Sequence, residues 1–156
     1  MEWQQENFII STDKSKLDVS YIHQFLSNES YWAAGIPYDI VEKSIENSLC
    51  FGIYDGEKQI GFARIITDEA TFGYLADVFV DVAYRGKGLG KWLMEIIMKL
   101  PFISLLRGFM LATKDAHTLY EQYGFASLSN PERFMRLHRS NVYQTMNPAS
   151  QESNTQ

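Results

Sequence analysis

Cysteine is almost absent: Cys50 stands alone in 156 residues. A lone thiol closes no internal disulfide, so the sequence points to a reducing, cytoplasmic setting. The start, Met1-Glu2-Trp3-Gln4-Gln5-Glu6, lacks a basic stretch followed by an apolar run, so no signal peptide is read there. Long hydrophobic runs are missing too. The greasiest stretch, Trp92 to Leu106, is broken by Glu95, Lys99 and Pro101, which argues against a membrane partner. His23 and His138 have no acids at metal-ligand spacing, so no metal is expected. Positive charge is in deficit, with a net charge of -5. That disfavours a general electrostatic grip on nucleic acid and suits a cationic partner such as an amine.

What is present is an ordinary globular composition, 46% hydrophobic and 21% charged. The length fits one domain of about 150 residues with a sizeable core. No internal repeat or Pro/Gly-rich linker divides it. A single domain is expected over 1–139. Ser140 to Gln156, with Glu152 as its only charge, reads as a loose polar tail.

Periodicity and turn signals give the element order. Asn7 to Thr12 reads as a strand. Asp18 to Asn28 and Pro37 to Asn47 read as helices, the second with proline in its first turn. Leu49 to Tyr54 and Gln59 to Thr67 flank Asp55-Gly56, a hairpin signal. Phe72 to Val82 reads as a long strand and Gly88 to Leu100 as a helix. Phe109 to Ala112 reads as a strand. Asp115 to Tyr123 is a short helix closed by Gly124. Phe125 to Leu128 and Arg133 to His138 read as final strands. This order predicts a mixed α/β (α+β) sheet domain with helices on its faces, not strict alternation.

The chemistry concentrates in Arg85-Gly86-Lys87-Gly88-Leu89-Gly90-Lys91, between the longest strand and the longest helix. Alternate glycines leave amide N–H groups uncovered at a helix N-terminus, where the dipole is positive. Arg85, Lys87 and Lys91 add charge. The loop suits a phosphate, although a plain connecting turn is the bland alternative. It is no P-loop, because Trp92 follows Lys91 where Ser or Thr would hold magnesium. It is no dinucleotide fingerprint, because Lys91 stands where the last glycine belongs.

Arg85-x-x-Gly88-x-Gly90 resembles the acyl-CoA-binding motif of the GCN5-related N-acetyltransferase (GNAT) family. Leu119-Tyr120-Glu121-Gln122-Tyr123-Gly124-Phe125, further along, resembles the family's second signature, Leu-Tyr-x-x-x-Gly-Phe. The resemblance covers roughly Leu49 to Leu128. It implies the GNAT fold, a mostly antiparallel sheet with a splayed parallel strand pair, and acetyl-CoA as co-substrate. Val78, Phe79 and Val80 would then hold the pantetheine arm, and Gly86 to Lys91 the pyrophosphate. An N–H near Phe79 or Val80 would polarise the thioester carbonyl.

By the same resemblance Tyr120 protonates the departing CoA thiolate, against the plainer reading that it packs its helix. Tyr123 reads as packing. Thr113 stands where the family often has an asparagine contacting CoA. A glutamate base of the histone-modifying branch is missing, since Tyr74 falls near its place. Asp77 is an acid inside the apolar strand Leu75 to Val80, and such a charge needs a partner or a job. It is either a catalytic base or a carboxylate satisfied by Arg64 or backbone donors. His117 shares a helix face with Tyr120 and reads as structural more than as a proton shuttle. Direct transfer leaves Cys50 without a catalytic duty.

The acceptor side is less legible. Tyr31 and Trp32, in the linker Tyr31 to Tyr38, either wall an acceptor or plug the core. Ser48, Cys50 and Phe51 could line the same cleft, and Arg64 could orient substrate. The lead reading is an acetyl-CoA-dependent N-acetyltransferase acting on a small-molecule amine, with no metal. A protein or peptide acceptor, a non-catalytic acyl-CoA-binding module and a nucleotide-binding domain are the alternatives. Sheet edges near the C-terminus leave a homodimer open.

Overall fold

The computed structural model describes residues 1–146. Six strands form one sheet in chain order: β1 (Glu2–Gln5), β2 (Phe8–Ser11), β3 (Leu49–Asp55), β4 (Lys58–Thr67), β5 (Phe72–Val80) and β6 (Gly108–Leu111). Every neighbouring pair is antiparallel except β5 and β6, which are parallel. The mixed sheet predicted from the sequence is therefore present. β1 is an addition, because Glu2-Trp3-Gln4-Gln5 offers too little alternation to read.

The described helices are α1 (Val19–Gln24), α2 (Tyr38–Glu46), α3 (Leu89–Met98), α4 (His117–Glu121) and α5 (Val142–Met146). α1 runs directly into a π-helical turn, Phe25–Glu29. The chain divides into two compact units. One holds Met1–Asp18 and Ser44–Ala126, with the whole sheet, α3 and α4. The other holds Val19–Lys43 and, among the described residues, Ser127–Met146.

In the sheet unit, pleat alternation sorts side chains cleanly. Phe51, Ile53, Ala63, Ile65 and Leu75 join the core formed with Leu93, Met94 and Ile97 of α3. Burying each large side chain of that stripe contributes about 1.5–3 kcal/mol. Phe51 is thus core, not a cleft residue. The opposite face carries Cys50, Gly52 and Tyr54 of β3, and Phe62 and Arg64 of β4. Gly52 is required there. A Cβ would lie 2.2 Å from the Tyr54 hydroxyl, which crosses it.

Turns follow local chemistry. Gly56 supplies φ 58 in the β3–β4 hairpin. Between β4 and β5, the Asp68 carboxylate accepts from the N–H groups of Ala70, Thr71 and Phe72 at 3.0, 2.8 and 3.1 Å. A bond from the Thr71 hydroxyl, together with those three, holds the Asp68 carboxyl well below its usual range.

Two expectations fail near the C-terminus. Phe125–Leu128 and Arg133–His138 are not strands, and Pro131–Arg133 is a single 3-10 turn. Their apolar residues have β character, but a strand needs a ladder partner, and none pairs with them among the described residues. Met135 and Leu137 are exposed instead. The tail expected over 140–156 begins with α5, and 147–156 lie outside the described residues.

Candidate active site

β5 and β6 part company at one defined point. Their pairing runs from Phe72↔Gly108 to Leu75↔Leu111 and stops, while β5 continues to Val80 paired with β4 only. The β6-facing edge of β5 is therefore open from Ala76 to Val80, immediately before the glycine loop.

A bulge sits at the same place. β4 and β5 pair as Arg64↔Ala76 but as Phe62↔Phe79, so Ala63 faces both Asp77 and Val78. Asp77 has φ 54, the left-handed region where such bulges usually take glycine. Asp is among the few residues that tolerate it. Because of the extra residue, Asp77 falls on the face of Ala76 and Arg64 and not in the α3 core. Val78 and Val80 return to the core side, and the Phe79 ring meets Phe62 at 6.2 Å.

The bulge also decides where backbone groups point. Beyond it, the Asp81 N–H donates to the Ile60 carbonyl of β4 at 2.7 Å. Alternation then directs Phe79 toward β4 as well, and the N–H and C=O of Val78 and Val80 toward the open edge.

The glycine loop continues from there. Asp81 caps the 3-10 turn Val82–Tyr84 by accepting from the Ala83 N–H at 2.9 Å. Gly86 and Gly88 have φ 78 and 79, with nothing within 4 Å of where a Cβ would stand. Gly88 caps α3 with no side-chain bond. The first N–H groups of α3 thus lack intrahelical partners and face an uncovered cradle. This fits a pyrophosphate. Arg85 folds back, its Nε donating to the Val80 carbonyl at 3.1 Å. Lys87 Nζ lies 5.3 Å from the Tyr84 ring centre, and Lys87 and Lys91 line a cavity of about 240 Å³ with Phe8 and Trp92.

Tyr120 lies on α4, buried in the core cluster, with its ring edge-on to Phe125 at 6.0 Å. α4 packs near the start of α3, where a Cβ at Gly90 would stand 3.7 Å from Leu119, an ordinary contact. Tyr123 packs as expected, its hydroxyl donating to the Lys91 carbonyl at 3.0 Å. Thr113 Oγ1 accepts from the Ala116 N–H at 3.0 Å, which fixes the entrance to α4. His117 is exposed.

Arg64 and Asp77 meet. Arg64 Nε lies 2.5 Å from Asp77 Oδ2, with side chains 16% and 9% exposed. Arg64 Nη1 donates to Ser48 Oγ at 3.1 Å, and Ser48 donates to the Ser44 carbonyl at 2.7 Å. Cys50, opposite Arg64 in register, is 1% exposed, and burial pushes its thiol up to about 11. A buried thiol held neutral in this way has the character of an inert core residue.

Tyr31 and Trp32 belong to the other unit. They are 59% and 43% exposed, with rings edge to face at 5.0 Å, so they do not plug a core. Phe25 backs Trp32 at 6.5 Å, and His23 Nε2 bonds with the Ile36 carbonyl at 3.0 Å. The bulge, the Ser48 link and the Asp68 turn escape the sequence reading. The one signal for the first was the charge of Asp77 in an apolar strand.

The comparisons agree with this geometry. A family model described as an acetyltransferase (GNAT) domain matches residues 46–127. A protein of Gibberella zeae, named as a candidate acetyltransferase, is 33% identical over 76% of this chain and 78% of its own. A crystal structure from Xanthomonas campestris pv. campestris, described as a candidate acetyltransferase of the GNAT family, is 45% identical. It covers 87% of this chain and 96% of its own, with a TM-score of 0.85. Glucosamine-6-phosphate N-acetyltransferase from Arabidopsis thaliana shares the fold at 18% identity, covering 85% and 97% of the two chains with a TM-score of 0.59. On the family match, the relatives and the fold together, the chain belongs to the GNAT family of acetyltransferases.

Proposed function

We propose that the protein transfers an acetyl group directly from acetyl-CoA to the primary amine of a small molecule. The observation that carries this is the open edge of β5, which leads straight into the uncovered cradle of Gly86 and Gly88. A chain-like thioester with a pyrophosphate end suits that groove. The backbone of Val78, Phe79 and Val80 borders the arm. The loop from Arg85 through Gly86, Lys87, Gly88, Leu89 and Gly90 to Lys91 takes the phosphates. Thr113, whose hydroxyl holds the start of α4, would add a contact to CoA.

The neutral amine nitrogen attacks the thioester carbonyl. A C–N bond forms, and the carbonyl electrons shift onto oxygen, which accepts from a β5 amide. The C–S bond then breaks, and the thiolate takes a proton from Tyr120. The amine's surplus proton leaves through water, because the Asp77 carboxylate is already engaged by Arg64, and water returns a proton to the Tyr120 phenolate. Within their own unit Tyr31 and Trp32 present aromatic surface of the kind that binds a cation. The net charge of -5 favours such an acceptor.

A panel of primary amines, amino acids and lysine peptides with acetyl-CoA tests this reading, with free thiol and acetylated product followed together. Thiol release matched by an acetylated small amine supports it. Efficient acetylation confined to peptides would replace the small-molecule acceptor by a protein one.

A further inference from the structure

The Arg64–Asp77 pair raises a question of economy. A nearly buried ion pair is a poor source of stability, since desolvation of both charges opposes their attraction. Here the pair sits where β5 departs from regular geometry. Asp77 holds φ 54 in the bulge, at the point where β6 leaves β5. A regular β5 would turn Asp77 into the α3 core and shift by one residue the amides facing the open edge. Arg64 opposes this. It reaches across from the facing strand, its Nε on Asp77 and its Nη1 on Ser48, which is tied back to Ser44. The guanidinium is thus held at two nitrogens in one plane, a geometry lysine cannot reproduce.

We propose that Arg64 is a positioning residue. Through Asp77 it fixes the β5 bulge, and so aims the Val78 and Val80 amides at the place where the thioester oxygen develops charge. This rests on the acetyl-CoA reading above. It makes Arg64 matter to acyl activation and not to acceptor recognition, the role its sequence position had suggested.

The two roles separate in kinetics. If Arg64 works through the bulge, Arg64→Lys lowers kcat by a similar factor, ~30-fold, for every amine and for the slow hydrolysis of acetyl-CoA by water. The KM of each amine and the Kd of unacetylated CoA stay within about threefold, since neither depends on the oxyanion. Asp77→Ala loses kcat likewise, and Asp77→Gly, which accepts the left-handed φ, recovers at least ~5-fold of that loss. Amide chemical shifts of Val78 and Val80 move in Arg64→Lys, a readout independent of turnover. The proposal is overturned by unchanged amide shifts, by a loss confined to amine KM with normal hydrolysis, or by Asp77→Gly falling below Asp77→Ala. Wild-type protein inert toward acetyl-CoA, with the amide shifts still moving in Arg64→Lys, would instead sink the acetyltransferase reading and keep the clamp.

Discussion

Two stretches border the open edge of β5, and they are built in opposite ways. In the loop from Arg85 to Lys91 the proposed phosphate site is made of bare backbone, and what matters is missing side chain. Gly86 and Gly88 leave space where a Cβ would stand. At the bulge, side chains from two strands and from Ser48, beyond the end of α2, hold the backbone in place. The first region is a property of consecutive residues. The second exists only once β4 and β5 have paired. A change in the loop should therefore weaken binding, and a change at the bulge should weaken turnover.

The largest effect expected lies at the chemistry that both regions serve. Tyr120→Phe keeps the ring and its contact with Phe125 but removes the hydroxyl proposed to protonate the thiolate. Turnover at saturating substrate should fall ~100-fold with little change in Tm. Near-normal turnover would return Tyr120 to a packing role. Next comes the loop itself. Gly88→Ala forces a Cβ onto φ 79 and should weaken acetyl-CoA binding about tenfold by calorimetry. Gly90→Ala, whose Cβ meets only ordinary contact, should weaken it less. The reverse order would mean that the loop acts through helix packing and not through its bare amides.

Legibility divides along the same line. The loop, α3 and the Leu119–Phe125 signature could be read directly, because composition and spacing within a few residues dictate them. The β3–β4 hairpin was legible for the same reason, through Asp55-Gly56. The bulge was not, since its cause is an extra residue in β5 relative to β4 and nothing local announces a register shift. Asp77 gave a hint, and the structure answers it with Arg64. The expected strands at 125–128 and 133–138 failed for the complementary reason. β-forming residues were present, and a ladder partner was not. Tyr31 and Trp32 could be found but not interpreted, because exposure is a tertiary fact.

Smaller effects concern the surroundings of the bulge and turn. Cys50, opposite Arg64, has its thiol pushed up from 9.0 to about 11 by burial. An acid whose folded value is raised contributes stability that is full below its unfolded value and lost as pH rises through the folded one. Denaturant titrations should thus show stability falling between roughly pH 9 and 11. Cys50→Ala should blunt that fall, and an identical alkaline limb in the variant would assign it elsewhere. The smallest effect belongs to Asp68, whose carboxyl is held low by the Thr71 side chain and three backbone N–H groups. A depressed value adds stability above the ordinary carboxylate range and loses it as pH falls. Asp68→Asn should lower Tm modestly at neutral pH and flatten the acid limb, while leaving acetyl-CoA affinity intact. A change in that affinity would extend the site to the β4–β5 turn.

We propose that the open edge of β5 and the glycine cradle together present acetyl-CoA to a primary amine. It is tested most directly by incubating the protein with acetyl-CoA and a panel of small primary amines. Free thiol and the mass of each amine are followed in the same sample. Thiol should be released in step with acetylated amine, at a rate that rises as the amine becomes neutral. Thiol release without acetylated amine, or no release together with no stabilisation by any CoA thioester, would contradict it.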